Sequence, residues 1–546
     1  MCNQLSLKLE VNNKSQDKFR GAFIGAAIGD ALGFITEFMR NSNEIRRQFQ
    51  LDQLDRFVDW ERITTYYKAG NKNYIKLPLS SGTYSDDTQL TLATARSIKA
   101  DGSFNPETFS KFELPLWLQY ELGGGSGTKA AAKNLLNPNI SWYNNFYDTS
   151  YTSYIKSGGN GAAMRILPIA LVNIESSTRL YIDIWRNSII THGHPRGLMG
   201  ALLLADSIKL LIENPQNQVE WLDRLIEKCS NYSDLENTWS QDNLFSNWKN
   251  KWQSVCNQNF IFAWNNICKE TIEYLELVKR EYNVGDLDKI LTRMGCFEKQ
   301  TKGAGNITVV ASILFLCQFN DFQNGSNNFE NVITPIVNKI GIDTDTIAYF
   351  AGAMLGVKYG LQSIPELFKQ KIQDYDYLLK VADYCYDLYT KNKNLKSIFS
   401  YPESKNLNLP KISALLQNPD VSNTSIDIPI FGNAKILKDD NITPTWQGRH
   451  IHFVKLELVF GQTIYCKVER DFSHTSKKVE ELHTKSQSII NSLSALDEFK
   501  NIVESSNFNS EVILDILRKL KFERKDKAIY NAFITWLWAS LPNKNE

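Results

Sequence analysis

Between residues 21 and 38 the chain reads GAFIGAAIGDALGFITEF, with Gly21, Gly25, Gly29 and Gly33 four residues apart. On a helix that spacing forms one near-continuous stripe without side chains, so a second helix can approach closely. Membrane helices use the same spacing. Here the apolar run is short, Asp30 interrupts it, and Glu37 and Arg40 close it. The stripe predicts a helix buried in the core of a soluble protein.

A second constraint is acidic. GIDTDTIAYFAGAMLG (341–356) opens on Asp343, Thr344, Asp345 and Thr346, then turns small and apolar. Asp and Thr cap helices well, because their oxygens accept the free N–H groups of the first turn. Capping accounts for one or two of these four residues. YSDDTQLTLATARSI (84–98) repeats the design with Ser85, Asp86, Asp87 and Thr88. Two such mouths on helices fit for burial suggest four carboxylates meeting at one point. The alternative is two ordinary caps on helices that never meet.

Four buried anions share a site only with a cation or with protons. The helix dipole opposes a metal there, so the surplus negative charge must overcome it. Every nearby donor is a hard oxygen, which suits Mg²⁺, Mn²⁺ or Ca²⁺ better than Zn²⁺. Only two of the six histidines, His192 and His194, precede residue 440. A histidine metal site or a Ser-His-Asp triad in that region would have to use this one segment.

At 546 residues, two domains are expected. Lys plus Arg is 61 and Asp plus Glu is 60, so charge gives no case for nucleic acid as the main partner. The eight cysteines form no CxxC pair, which reads as a reducing compartment without a zinc cluster. The first residues lack a basic start with a long apolar run and do not read as a signal peptide. A cytoplasmic protein with no membrane partner is expected.

Helical periodicity recurs at 87–99, 162–172, 180–191, 197–213, 217–230, 258–281, 286–294, 307–318, 329–339, 346–358, 364–371 and 376–391. Alternating patterns are scarce before 425. The expected fold is an all-α compact, orthogonal multi-helix domain over 18–395, after a tail at 1–17. Residues 213–300 look like an elaborated helical region. The Pro- and Asn-rich stretch predicts a linker at 396–425. RHIHFVKLELVFGQTIYCKVERDF (449–472) alternates on either side of Gly461 and Gln462, as a hairpin does. Helical patterns return at 476–503, 510–521 and 526–541, so 426–546 reads as a small α+β module.

The order Gly25-Ala26-Ala27-Ile28-Gly29-Asp30-Ala31-Leu32-Gly33, Glu37, Ser85-Asp86-Asp87-Thr88, GNGAAMRILP (159–168), Thr191-His192 and DTDT (343–346) resembles the ADP-ribosylglycohydrolases of the dinitrogenase-reductase-activating type. The resemblance runs from about residue 18 to about 360. It implies an all-α fold, two Mg²⁺ ions at the base of a cleft, and hydrolysis of the bond between C1″ of ADP-ribose and an acceptor. Carried over by position, the metal ligands would be Ser85, Asp86, Asp87, Asp343, Asp345 and Thr346. Ser85 stands where many members have Thr, and Ile342 where many have Gly. Glu37 matches an acidic residue implicated in catalysis in some branches; other branches use metal-site aspartates.

The chemistry suits these residues. Glycosidic cleavage builds oxocarbenium-like charge on the ribose. Metals can orient the ribose hydroxyls and a water, and Asp86, Asp345 or Glu37 can act as general base or acid. Glycine-rich SGGNGAAMR (157–165) and GGGSGT (123–128) are candidate substrate loops. From them come Gly127, Thr128, Gly159, Asn160, Gly161, Met164 and Arg165. His192 is a candidate for diphosphate or adenosine contacts, and KGAGN (302–306) contributes Gly303 and Gly305. Members often carry an aromatic at the last of these positions, where this chain has Asn306.

Two function classes follow. The first is an enzyme removing ADP-ribose from a modified protein or other acceptor. The second is an immunity or blocking protein that binds an ADP-ribosylating toxin, with or without hydrolysis. The acidic set favours catalysis, since binding alone does not need six oxygen ligands. A third, weaker reading is hydrolysis of another ribosyl compound. The tail at 425–546, with its basic KLKFERKDK (519–527), is expected to recognise the modified protein or a partner subunit.

Overall fold

The computed structural model describes residues 2–68, 71–320, 322, 329–392, 395, 411–417, 425–442 and 449–471. Its main helices are α1 (Cys2–Thr36), α2 (Asp86–Arg96), α3 (Ser126–Asn134), α4 (Pro195–Ile212), α5 (Gly305–Phe319), α6 (Thr344–Tyr359) and α7 (Tyr375–Tyr389). Strands β1 (Trp60–Lys68) and β2 (Asn71–Leu79) form an antiparallel hairpin, with Trp60 facing Leu79. Strands β3 (Ser425–Ile428), β4 (Gly432–Asn441), β5 (Arg449–Leu458) and β6 (Thr463–Asp471) make a four-stranded sheet in that order. The fold is all-α with small β additions.

The glycine stripe does what its spacing predicts. A Cβ on Gly25 would lie 2.3 Å from the carbonyl oxygen of Gly352, and one on Gly29 2.0 Å from that of Ala348. Real Cβ atoms do not approach so closely, so these positions exclude any side chain. The partner helix is α6, the helix that begins with the acidic DTDT segment. A Cβ on Gly33 would meet the backbone of Thr344 and Asp345. Backbone-to-backbone packing thus brings the C-terminal end of α1 to the N-terminal end of α6. The apolar stretch Ser15–Thr36 is long enough to cross a membrane, yet 94% of its window is buried inside the protein. Helices α4, α5 and α7 pack around this pair and complete the core.

The β1–β2 hairpin departs from the all-helical expectation before 390. Its signal is visible in hindsight: Ile75, Leu77 and Leu79 alternate and are buried. The glycine-rich GGGSGT opens helix α3 and is only partly a loop.

Contacts divide the chain into two compact units. One comprises residues 1–442 and 453–468, the other 443–452 and 469–546. The expected 426–546 module does not separate along that line, because most of its sheet belongs to the first unit. Arg96 donates to Gln462 Oε1 at 2.6 Å, with its other bonds to Glu113 and to the Tyr377 hydroxyl, and the Thr83 and Tyr465 hydroxyls lie 3.1 Å apart. In the second unit Arg470 Nη1 lies 2.9 Å from His452 Nδ1. The helical patterns expected at 476–503, 510–521 and 526–541 fall outside the described residues.

Candidate active site

The two acidic helix mouths meet. Asp86, Asp87, Asp343, Asp345, Thr346 and Glu37 line one cavity of about 330 Å³. Carboxylate oxygens of Glu37, Asp343 and Asp345 all lie within 4.8 Å of one another.

Each side chain has a local reason for its place. Ser85 is the N-cap of α2, and its Oγ accepts the Asp87 N–H at 3.3 Å. That hydroxyl is fully buried and serves the cap, outside the cavity lining. Behind it stands Asp30, from the middle of the glycine stripe. Asp30 accepts the Ser85 N–H at 2.9 Å, the Thr88 N–H at 3.0 Å and the Thr88 hydroxyl at 2.6 Å. One buried carboxylate therefore ties the first turn of α2 to α1 and aims Asp86 and Asp87 into the cavity. At the other mouth Asp343 makes no side-chain cap. Its Oδ2 accepts from Asn160 Nδ2 at 2.9 Å. Asp345 Oδ1 accepts the Thr346 N–H at 2.8 Å. The Thr344 hydroxyl turns away and donates to the Gly33 carbonyl at 2.9 Å, fastening α6 to α1.

The electrostatics are those of crowded anions. Burial, then the charges of Asp345 and Asp343, push the Glu37 carboxyl well above the usual range. Asp86, Asp87 and Asp343 are raised likewise, by burial first and neighbouring carboxylates second. Glu37 Oε2 and Asp87 Oδ2 are buried with no hydrogen-bond partner. An orphaned buried carboxylate oxygen is costly unless a cation or proton meets it. With carboxylates alone in the cluster of Glu37, Asp343 and Asp345, this set fits a hard divalent cation.

The remaining candidates divide. Gly127, Thr128, Gly159, Asn160, Gly161, Met164, His192 and Gly303 line the same cavity. Glycine is required at Gly161, where a Cβ would lie 2.7 Å from Thr128 Oγ1 and 2.8 Å from His192 Cε1. His192 is held neutral: burial and the Arg165 charge push its pKa down to about 3. Arg165 and Gly305 lie elsewhere. Arg165 is fully buried and donates to the Gly161 carbonyl, to Asn187 and to the Thr191 hydroxyl, each at 2.8 Å, so it braces the glycine loop from behind. Gly305 sits where α5 crosses α4, with the Arg196 carbonyl 2.6 Å from where a Cβ would stand. Asn306 is buried and donates to Glu270 at 2.9 Å.

Sequence reasoning missed Asp30 as an organiser, although a lone carboxylate inside an apolar stripe was a signal. It also missed Lys156, Ser157 and Ser126, which line the cavity; single polar residues in glycine-rich loops carry no pattern.

The family model described as ADP-ribosylglycohydrolase matches residues 12–395. ADP-ribosylhydrolase ARH3 of Mus musculus is 24% identical over 305 residues, covering 54% of this chain and 74% of that protein. The ADP-ribosyl-[dinitrogen reductase] glycohydrolase of Rhodospirillum rubrum is 30% identical over 136 residues, covering 25% of this chain and 44% of that protein. ADP-ribosylarginine hydrolase Tri1 of Pseudomonas putida is 22% identical over 317 residues, covering 57% and 67%. The acidic cavity and the extent of the family match agree, and this chain belongs to the ADP-ribosylglycohydrolase family, whose members are ADP-ribosyl hydrolases.

Proposed function

We propose that this protein hydrolyses the bond between C1″ of ADP-ribose and a modified acceptor, with two Mg²⁺ ions, or Mn²⁺, in the acidic cavity. The observation that carries the reading is the meeting of two carboxylate-bearing helix mouths and Glu37 at one cavity, with two carboxylate oxygens left without partners. Asp86, Asp87, Asp343, Asp345 and Thr346 would hold the cations. A cation bound there supplies charge stabilisation and lowers the pKa of a coordinated water.

The chain's own groups do the rest. The N-terminus of α3, with Ser126, Gly127 and Thr128 at the cavity, offers backbone N–H groups to a diphosphate. Lys156 adds a positive charge to the same wall. Neutral His192 packs against the Gly159–Gly161 backbone and offers a ring nitrogen as a hydrogen-bond partner. Asn160 fixes the rotamer of Asp343. Glu37, Asp86 or Asp345 carries the proton between water and leaving group.

The test is release of ADP-ribose from arginine-, serine- and nucleic-acid-linked substrates, with and without Mg²⁺. Release from at least one linkage, lost on chelation and reduced about 10²-fold or more in Asp345→Ala, is expected. Release indifferent to both changes would sink the metal-dependent reading. No release from any linkage, with tight binding of an ADP-ribosylating toxin, supports the blocking alternative instead.

A further inference from the structure

Three helices carry the acidic cavity and meet at three junctions. Asp30 ties α1 to α2, and the glycine stripe packs α1 on α6. At the third junction α2 meets α6, the helices whose first turns bear the opposing carboxylates. There the Thr91 Oγ1 and the Tyr349 hydroxyl lie 2.6 Å apart, both buried.

The direction of this bond follows from its neighbours. Thr91 Oγ1 also lies 2.8 Å from the Asp87 carbonyl oxygen and 3.0 Å from that of Met164. Carbonyl oxygens only accept, and a hydroxyl carries one proton. Were that proton given to Tyr349, the phenol's own proton would be buried without an acceptor among the described residues, which is costly. Tyr349 therefore donates to Thr91, and Thr91 donates to the two carbonyls.

The place of the bond is informative. Thr91 follows Asp87 by four residues and Tyr349 follows Asp345 by four. Each hydroxyl thus stands one turn below a cavity carboxylate, on the same face of its helix. Met164 lines the cavity from the glycine-rich wall. One buried threonine oxygen joins both helix mouths and that wall. Unneutralised carboxylates on facing mouths repel one another and push the mouths apart; a bond one turn below resists that push. Packing does not require it, since an apolar pair of the same shape, Phe with Val, would fill the same space at little cost in stability.

We infer that Tyr349 and Thr91 are positioning residues for the cation site. Their hydrogen bond holds the Asp86–Asp87 pair and the Asp343–Asp345 pair at the spacing that a divalent cation needs, ahead of its binding. This role rests on the metal-dependent reading of the cavity.

The experiment measures Mn²⁺ and Mg²⁺ binding to the full chain well below its melting temperature, by electron paramagnetic resonance of free Mn²⁺ and by titration calorimetry. Metal-free Tm is recorded alongside. Tyr349→Phe and Thr91→Val should each raise the dissociation constants about 3- to 10-fold. The double variant should bind no more weakly than the weaker single one, because both changes remove one bond. It should also melt close to wild type, as an apolar pair of the same shape does. Thr91→Ser, which keeps the hydroxyl, should bind near wild type. Unchanged dissociation constants with a lowered Tm overturn the proposal, since the bond then serves the core alone. Additive effects of the two single changes, or a Thr91→Ser protein as weak as Thr91→Val, overturn it as well. A wild-type chain that binds neither cation overturns the metal-dependent reading and this role with it; a wild type that binds, with variants that match it, overturns this role alone.

Discussion

Ser85 and Asp343 hold equivalent positions at two helix starts and do opposite work. The Ser85 hydroxyl turns back to the Asp87 N–H and never reaches the cavity, whereas the Asp343 carboxylate leaves its own helix uncapped and takes Asn160 instead. The sequence places oxygens at both mouths; it does not say which of them a helix will keep for itself. His192 illustrates the same limit. Its position in the cavity was legible from the Thr191-His192 pair, but its charge was not, because the cause is burial beside Arg165, which is distant in sequence. The folded state keeps His192 near pKa 3 and His194 near 4, against an ordinary 6.5. Between pH 6.5 and those values the unfolded chain binds more protons than the folded one, so their share of stability is lost as pH falls. The raised core carboxylates act in the opposite direction in metal-free protein, so the histidine share is read by difference. Thermal unfolding at pH 7.5 and pH 4.5 should show a smaller loss of Tm in His192→Asn than in wild type. A loss of equal size in the two would mean that His192 is charged in the fold.

At the scale of elements, the glycine stripe was the most legible feature of the fold, because its spacing admits few uses. The partner was not legible: any of several apolar helices could have filled the stripe. The structure pairs α1 with the helix that bears Asp343 and Asp345. The packing is reciprocal, since a Cβ on Gly352 or Gly356 would lie 2.0 Å from the carbonyl oxygens of Gly25 and Gly21. The stripe is thus part of the site, setting the distance between Asp30, Glu37 and the α6 carboxylates. Gly29→Ala pushes a methyl into the Ala348 carbonyl and should cost about 1–3 kcal/mol by overpacking. The expected outcome is a lower Tm together with a smaller stabilisation by saturating Mg²⁺, because the two ligand sets are moved apart. A Gly29→Ala protein with wild-type Tm and wild-type response to Mg²⁺ would mean that the helix pair adjusts without moving the site.

At the scale of the whole molecule, the all-α class was readable because amphipathic periodicity is strong over long segments. The C-terminal boundary was not, because a change of composition marks a change of local structure and does not reveal what the new segment packs on. The strands after 425 carry the pattern of an independent module, yet β6 and the turn before it close over the helical core. Arg96 depends on this closure. Its side chain is fully buried with that of Glu113, its guanidinium lies 5.2 Å from the Phe460 ring, and Gln462 Oε1 accepts a hydrogen bond from it. Asp374 likewise accepts the Thr463 N–H at 2.7 Å. Ending the chain after residue 442 would remove these partners and expose the apolar surface that Phe460 and its neighbours cover, a change that costs several kcal/mol. Ending it after residue 471 would keep them. The shorter chain should therefore be recovered in lower soluble yield and melt well below the longer one in differential scanning fluorimetry. Equal melting of the two would restore the boundary expected at 396–425, since a sheet that can be deleted without cost is not part of the helical core.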